Sequence, residues 1–259
     1  MPPRYIPLSW PRRLIGDLMH FARKVPSIPV ERPMDLAALA KARAAATPAP
    51  GWTTLFVKAY GLLAREFADL RTSFIAYPWD HLVLHERSVA SVAVAKTLPS
   101  GEQAVLFTKI RGVEELPLGE IDANLRKARS RPVDDAGGFR LARRISMLPR
   151  FLRRLVWWLT LDWSGTLREK YFGTFGVSSY GVMGAESLHP LSPLACTLNF
   201  GPISSAGLVR VRIVYDHRVC DGGVIAAALK RLEEILNTDM VAELARPSQP
   251  AGHLDKKAS

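Results

Sequence analysis

The spacing of apolar residues along the chain predicts several amphipathic helices. Apolar side chains recur every three or four positions in five segments, and that spacing places them on one face of a helix. Prolines at positions 26, 29 and 33 indicate a loop after the first of these segments. The predicted helices cover residues 8–25, a short alanine-rich stretch from about Asp35, and residues 53–70, 118–131 and 223–236.

Other segments have the pattern of strands. Residues 88–95 and 103–110 are predicted to form two strands that are joined by a turn. From Phe172 onward short strands and turns follow one another, and LVRVRIVY (208–215) alternates apolar residues with Arg210 and Arg212. Because strands and helices mix without strict alternation, we expect an α+β fold with a largely antiparallel mixed sheet flanked by helices.

Length and composition limit the class of protein. The 259 residues suit a single domain over residues 1–240, and the polar, proline-bearing stretch 241–259 is expected to be a disordered tail. A hydrophobic content of 48% excludes a wholly disordered chain. Cys196 and Cys220 are too few for a disulfide framework or a cysteine-based zinc site, so we expect a cytoplasmic protein without a metal.

The charge of the chain is concentrated in one segment. The chain carries 35 Lys and Arg against 24 Asp and Glu, a net charge of +11. Residues 140–170, here called the Arg/Trp segment, hold eight basic and two acidic residues and three of the six tryptophans. This segment therefore carries +6, and the other 228 residues carry +5. No nucleic-acid-binding motif accompanies the arginines, so a nucleic-acid partner is not expected.

From about Leu148 the Arg/Trp segment is amphipathic at helical spacing. Leucines, a phenylalanine and a valine fall on one side, and Arg150, Arg153 and Arg154 fall on the other. One interpretation is a helix whose apolar side covers the core of its own domain while the arginines stay in solvent. A second is peripheral contact with a membrane surface, for which Trp-bearing basic helices are typical. A third is the lining of a substrate passage.

The stretch YDHRVCDGG (215–223) is the main candidate for chemistry. It places His217 directly after a predicted strand and Asp221 four residues later, before two glycines and a helix. Such a turn can present an imidazole at the edge of a sheet, and histidine is the side chain that titrates nearest neutral pH. Taken alone, the His-x-x-x-Asp-Gly pattern more often marks a structural turn.

This stretch resembles the C-terminal signature of the dihydrolipoamide acyltransferases, the catalytic cores of 2-oxo acid dehydrogenase complexes. Three further segments are similar to that family in the same order, and together they cover most of residues 6–236. The resemblance implies a chloramphenicol acetyltransferase-like fold and an enzyme that uses coenzyme A or acyl-CoA as a substrate. The further segments are IPLSWPRRLIGDLM, TTLFVKAYGLLAREFADLRTSF and FGTFGVSSYGVMGAESLHPLSP, the last similar to the family's Gly-Thr-Phe-Thr-Ile-Ser-Asn-Leu-Gly stretch.

Carried over residue by residue, the resemblance assigns roles to three side chains. His217 is implied to be the general base that takes a proton from a thiol, hydroxyl or amine acceptor as it attacks a thioester carbonyl. Ser178, with Ser179 as the alternative, is implied to stabilise the oxyanion. Asp221 is implied to brace the histidine loop, through an arginine such as Arg218 or one near the N-terminus, and Asp216 is the candidate for a second brace. The resemblance also implies direct transfer, without an acyl-enzyme.

The resemblance also implies a homotrimer or a multiple of trimers, with the histidine and the serine of each site on neighbouring chains. This chain differs from the family in starting close to the core, so we expect a stand-alone core without lipoyl or partner-binding domains and without covalently bound lipoate. The Arg/Trp segment replaces a short linking stretch, which leaves the acyl acceptor unidentified. The residues that contact coenzyme A are likewise not assigned. The alternative function is a catalytically silent scaffold or binding protein with this fold, with membrane-surface association as an option.

Overall fold

A computed structural model describes residues 3–133, 137–181 and 184–246, and its centre is a six-stranded mixed sheet. The strand order is β1-β8-β7-β6-β4-β5, and β2 and β3 form a separate hairpin. The strands are β1 (Ser27–Asp35), β2 (Thr72–Ile75), β3 (His81–Leu84), β4 (Val89–Thr97), β5 (Gln103–Arg111), β6 (Phe175–Ser178), β7 (Cys196–Phe200) and β8 (Leu208–Asp216).

The sheet contains both antiparallel and parallel strand pairs, and helices flank it. The β1–β8, β8–β7 and β4–β5 pairs run antiparallel, whereas β7–β6 and β6–β4 run parallel. The predicted α+β class with a largely antiparallel mixed sheet is therefore confirmed. The helices are α1 (Trp10–Ala22), α2 (Ala37–Ala45), α3 (Trp52–Glu66), α4 (Leu118–Ser130), α5 (Gly137–Met147), α6 (Arg150–Trp158), α7 (Gly165–Phe172), α8 (Gly222–Asn237) and α9 (Asp239–Ala245).

The proline-rich stretch predicted as a loop is strand β1, at the edge of the sheet. Pro29 pairs with Val214 and Pro33 pairs with Arg210 of β8. An edge strand has a neighbour on one side only, so it needs a ladder N–H from every second residue. Pro29 and Pro33 are four positions apart, so both have the same kind of position in this alternation, and neither has to supply a ladder N–H. The loop prediction was wrong because it counted prolines and not their spacing.

Aromatic stacking fixes the strands that lead to the candidate site. Phe56 of α3 stacks on Phe200 of β7, and Tyr60 stacks on Phe175 of β6, each with ring centroids 4.1 Å apart. All four rings are buried in the main core. Burial of an aromatic side chain contributes roughly 1.5–3 kcal/mol, so α3 holds the central strands firmly in place.

Helix α6 of the Arg/Trp segment has the opposite orientation to the first interpretation. Arg153 and Arg154 point inward to Asp17 of α1, whose carboxylate is 2% exposed. Phe151 and Leu155 point outward and are 71% and 48% exposed. Arg150 is exposed, as that interpretation expected. For Arg153 and Arg154 it was wrong because a buried carboxylate without a cationic partner is costly, and Asp17 draws both guanidinium groups inward.

The C-terminal region is ordered further than predicted. Helix α9 runs from Asp239 to Ala245, and its Met240 is buried in the main core. The predicted disordered tail therefore does not begin at residue 241, and positions 247–259 lie outside the described residues. In the part of the chain that the structure describes, no helix is both long enough and apolar enough to cross a membrane.

Candidate active site

His217 lies in the turn that follows β8. Its backbone N–H donates to the Pro26 carbonyl at 3.2 Å, which ties the turn to the start of β1. The imidazole is 47% exposed, and its Nδ1 lies 3.3 Å from Oδ1 of Asp221. A carboxylate at this distance favours a proton on Nδ1, and the lone pair of Nε2 is then available to accept a proton.

Asp216 braces the histidine turn from inside the protein. Its fully buried carboxylate accepts hydrogen bonds from Arg218 through the backbone N–H at 3.0 Å, Nε at 2.9 Å and Nη2 at 2.7 Å. The same guanidinium lies 4.0 Å from the centre of the Phe74 ring. Asp221 is 82% exposed at the start of α8 and contacts the imidazole itself. The expected brace from Arg218 to Asp221 is thus wrong, because the buried Asp216 takes the arginine.

The imidazole opens into a broad groove of about 530 Å³. Ser27 and His189 stand on its wall, and Ser27 Oγ lies 2.8 Å from His189 Nε2. Sequence reasoning assigned no role to either residue. Ser27 belongs to no motif, His189 lies in a family-like segment that carried over no role for it, and the two are 162 positions apart. The other lining residues are Arg23, Val25, Pro26, Ile28 and Leu191.

Ser178 and Ser179 differ in what their hydroxyl groups do. Ser179 Oγ donates to the Phe200 carbonyl at 3.0 Å and accepts from the Gly181 N–H at 3.2 Å. Ser178 is the last residue of β6, and its carbonyl accepts from Asn199 at 3.0 Å. Within the described ranges its Oγ makes no hydrogen bond. The Ser178 hydroxyl is therefore the one that can donate to a bound group.

Ser178 and His217 do not meet within one chain. Ser178 pairs with Asn199 of β7, and Asn199 pairs with Arg212 of β8. Arg212 precedes His217 by five residues, which is about 16 Å of strand, and two strand spacings add about 10 Å across the sheet. The structure thus places these two predicted site residues toward opposite ends of β6 and β8, two strands that β7 separates.

Another serine–histidine–acid arrangement, made by Ser73, His85 and Glu169, has a buried serine and a buried histidine. His85 Nε2 lies 3.1 Å from Ser73 Oγ, and His85 Nδ1 lies 3.0 Å from Glu169. Ser73 and His85 are both buried, and neither lines the groove of His217. Burial lowers the pKa of His85, which favours the neutral imidazole that these contacts hold. This trio fastens the β2–β3 hairpin to α7.

The cysteines and other metal-binding side chains show no reactive cluster. A hydrogen bond with Cys220 and burial raise the pKa of the Cys196 thiol well above its usual range, which disfavours the thiolate. Across the ranges 3–133, 137–181 and 184–246, no three His, Cys, Asp or Glu side chains are grouped so as to hold a metal ion.

Solved structures define the class of fold. The chain matches a probable dihydrolipoamide acetyltransferase from Listeria monocytogenes over 96% of its length and 98% of that chain, at 17% identity and a TM-score of 0.64. It matches the dihydrolipoamide acetyltransferase of Azotobacter vinelandii over 94% of both chains, at 20% identity and a TM-score of 0.66. The cubic core of a pyruvate dehydrogenase multienzyme complex also matches over 94% of both chains, at 21% identity and a TM-score of 0.63.

The chain has the fold of a dihydrolipoamide acetyltransferase catalytic core, along nearly its whole length. The resemblance noted in the sequence is therefore confirmed at the level of the fold. No family model matches the sequence, and a search of curated proteins finds no match either.

Proposed function

We propose that the protein is a coenzyme A-dependent acyltransferase that moves an acyl group between coenzyme A and a thiol, hydroxyl or amine acceptor. The observation that carries this proposal is His217, exposed in a groove next to a carboxylate, at the end of β8 in an acetyltransferase-core fold. The Azotobacter vinelandii enzyme was studied for the roles of a serine, a histidine and an asparagine four residues after it in its catalytic mechanism. Here Asp221 has that spacing from His217.

In the proposed reaction His217 acts as the general base. Its Nε2 takes the proton of the acceptor while the acceptor atom attacks the thioester carbonyl of acyl-CoA. The carboxylate of Asp221 stabilises the imidazolium that forms. When the tetrahedral intermediate collapses, the carbon–sulfur bond breaks, and the departing thiolate of coenzyme A takes the proton back from His217. The acyl group never becomes attached to the protein.

Ser178 is proposed to stabilise the oxyanion of a site on a neighbouring copy of the chain. The wide separation of Ser178 and His217 in one chain supports a site shared between copies, because a single chain cannot bring them together. A homotrimer, or a multiple of trimers, supplies one such shared site per chain. The unoccupied hydroxyl of Ser178 is suited to this role, since it can donate to the oxyanion without losing another bond.

The two serines are expected to respond differently to replacement by alanine. Ser178→Ala removes the oxyanion donor and is expected to lower kcat about 10²- to 10³-fold with little change in stability. Ser179→Ala removes a structural hydrogen bond and is expected to cost about 1 kcal/mol of stability with a much smaller change in kcat. Steady-state kinetics and urea unfolding of both variants measure this. If Ser179→Ala lowers kcat strongly and Ser178→Ala does not, the catalytic hydroxyl belongs to Ser179.

A further proposed property is contact with an anionic membrane surface through α6. Phe151 and Leu155 face solvent, and the exposed arginines Arg140, Arg144 and Arg150 lie on the same segment. Outward apolar side chains next to cations suit the interface of a bilayer that contains anionic lipid. Because Arg153 and Arg154 hold the opposite side of α6 on Asp17, this face remains turned away from the protein.

Vesicle binding tests this contact. The protein is expected to co-sediment with phosphatidylcholine vesicles that contain phosphatidylglycerol, less with pure phosphatidylcholine, and less as salt rises. A Phe151→Ser, Leu155→Ser double variant is expected to lose at least about tenfold in binding, from the apolar area that it removes. Leu208→Ser, an exposed leucine on β8, is the matched control and is expected to bind like the unchanged protein. Equal binding to both vesicle types contradicts the proposal, and loss of trimers in the double variant assigns the face to a second copy.

A further inference from the structure

A second, smaller cavity of about 200 Å³ lies beside the groove of His217. Val25 lines both spaces, and Arg218, the neighbour of His217 in sequence, lines the smaller one. Leu161 of the π-helical turn Leu159–Trp163 and Arg168 of α7 form part of its wall. The Arg/Trp segment, for which the sequence left three interpretations open including the lining of a substrate passage, therefore contributes directly to a cavity next to the candidate catalytic histidine.

Arg168 is a buried cation without a carboxylate partner. The residue is 4% exposed, its Nη1 donates to the Leu161 carbonyl at 2.8 Å, and its Nη2 donates to the Pro193 carbonyl. Its Nε is buried and has no hydrogen-bond partner. Among the residues that the structure describes, no carboxylate lies within 4 Å of this guanidinium. A buried charge of this kind is costly unless an opposite charge compensates it.

The other cations on the cavity wall are already paired. Lys24 lies 3.4 Å from Asp162, and Arg218 lies 2.7 Å from Asp216. Two ion pairs and one unpaired arginine leave the wall with a surplus of one positive charge. Burial lowers the pKa of Arg168 to about 10, against the attraction of the Asp216 and Asp162 carboxylates at longer range, so the guanidinium is still charged at neutral pH.

The remaining walls strengthen the attraction of this charge for an anion. Phe21, Phe74 and Tyr77 line the cavity, and apolar walls that exclude water reduce electrostatic screening. At about 200 Å³, the cavity suits one carboxylate or phosphate group and is too small for a nucleotide.

We propose that this cavity binds the anionic group, a carboxylate or a phosphate, of a substrate whose reacting end lies in the groove of His217. Arg168 lines the cavity as a charged guanidinium with no carboxylate within 4 Å among the described residues, and an anion in the cavity neutralises this charge. This inference rests on the proposed acyl transfer for the identity of the reacting end. The volume favours the acyl acceptor as the source of the anion, since coenzyme A carries its phosphates on a nucleotide.

Anion binding by the whole chain, measured without turnover, tests the cavity separately from acyl transfer. Inorganic phosphate and acetate are expected to raise the thermal unfolding midpoint of the protein above that in chloride at the same ionic strength. Arg168→Gln is expected to weaken the apparent affinity about 10- to 100-fold, as loss of a charged hydrogen-bond donor does. Arg129→Gln removes the same charge from the exposed surface of α4, away from both cavities and from the proposed membrane face, and is expected to change nothing.

Two further measurements make the outcome decisive. Lys24→Gln, at a largely exposed position of the same cavity, is expected to weaken anion binding as well and replaces Arg168→Gln if that variant does not fold. Coenzyme A and pantetheine distinguish the sources of the anion. If Arg168→Gln leaves the affinity for both unchanged, the anion belongs to the acceptor; if it weakens coenzyme A alone, the anion is a phosphate of coenzyme A. The inference is overturned if the Arg168 or Lys24 variant binds phosphate and acetate as well as Arg129→Gln does. It is also overturned if the unchanged protein binds neither anion.

Discussion

Replacing His217 by alanine is expected to lower the rate of acyl transfer from acetyl-CoA by about 10²- to 10⁴-fold, the usual contribution of a general base. The imidazole is half-exposed in the groove, so its removal disturbs no packed core. The free energy of unfolding is therefore expected to stay within about 0.5 kcal/mol of that of the unchanged protein. The assay follows release of the coenzyme A thiol with dihydrolipoamide as a trial thiol acceptor.

A histidine outside the groove provides the control for this variant. His81 lies on the β2–β3 hairpin and lines neither cavity, so His81→Ala is expected to retain full activity. Transfer by His217→Ala at nearly the unchanged rate contradicts the assignment of the base. If the folded, unchanged protein binds no acyl-CoA in calorimetry and transfers no acyl group, the alternative of a catalytically silent scaffold is favoured.

Replacing Asp17 by asparagine is expected to lower the free energy of unfolding by about 3 kcal/mol, the lower end of what a broken buried ion pair costs. Arg153 Nε donates to the Asp17 carboxylate at 2.7 Å, and Arg154 Nε lies 2.9 Å from it. Asparagine keeps the shape of the side chain but leaves two guanidinium groups facing a neutral amide. Urea unfolding measures the loss in the free energy of unfolding. Amide hydrogen exchange that becomes faster in α6 than in α8 shows that the loss arises at α6.

An exposed aspartate is the matched control for the stability measurement. Asp80→Asn makes the same chemical change at an exposed position and is expected to alter stability by less than about 0.5 kcal/mol. A variant in which Arg153 and Arg154 are also replaced by glutamine is expected to recover part of the loss, since no unpaired cation remains. If Asp17→Asn costs no more than Asp80→Asn, Asp17 does not hold α6 in its orientation.

Local patterns in the sequence predicted most elements and the histidine turn. Strands β4, β5 and β8 alternate on their own, and the helices α3 and α8 have clear apolar stripes, so each could be found from a short window. The orientation of α6 could not be found in this way. It depends on Asp17, which is 136 positions from Arg153 in sequence and is not part of any pattern in the Arg/Trp segment.

The candidate site was predictable only in part, for the same reason. His217 and Asp221 are four residues apart, and their spacing is visible in the sequence. The groove and the neighbouring cavity join segments from α1, β1, the π-helical turn and α7, which only the fold brings together. No motif marks Arg168, because its unusual property is the absence of a partner in three dimensions and not a residue spacing.

The most direct test of the proposed shared site is to mix two inactive variants. His217→Ala chains retain Ser178, and Ser178→Ala chains retain His217, so sites formed between unlike copies can contain both side chains. After unfolding and joint refolding of equal amounts, about a quarter of the unchanged protein's activity is predicted, because each interface has one chance in four of an intact pair in a cyclic trimer. Activity no higher than the sum of the two separate variants would show that Ser178 and His217 do not form one site across an interface.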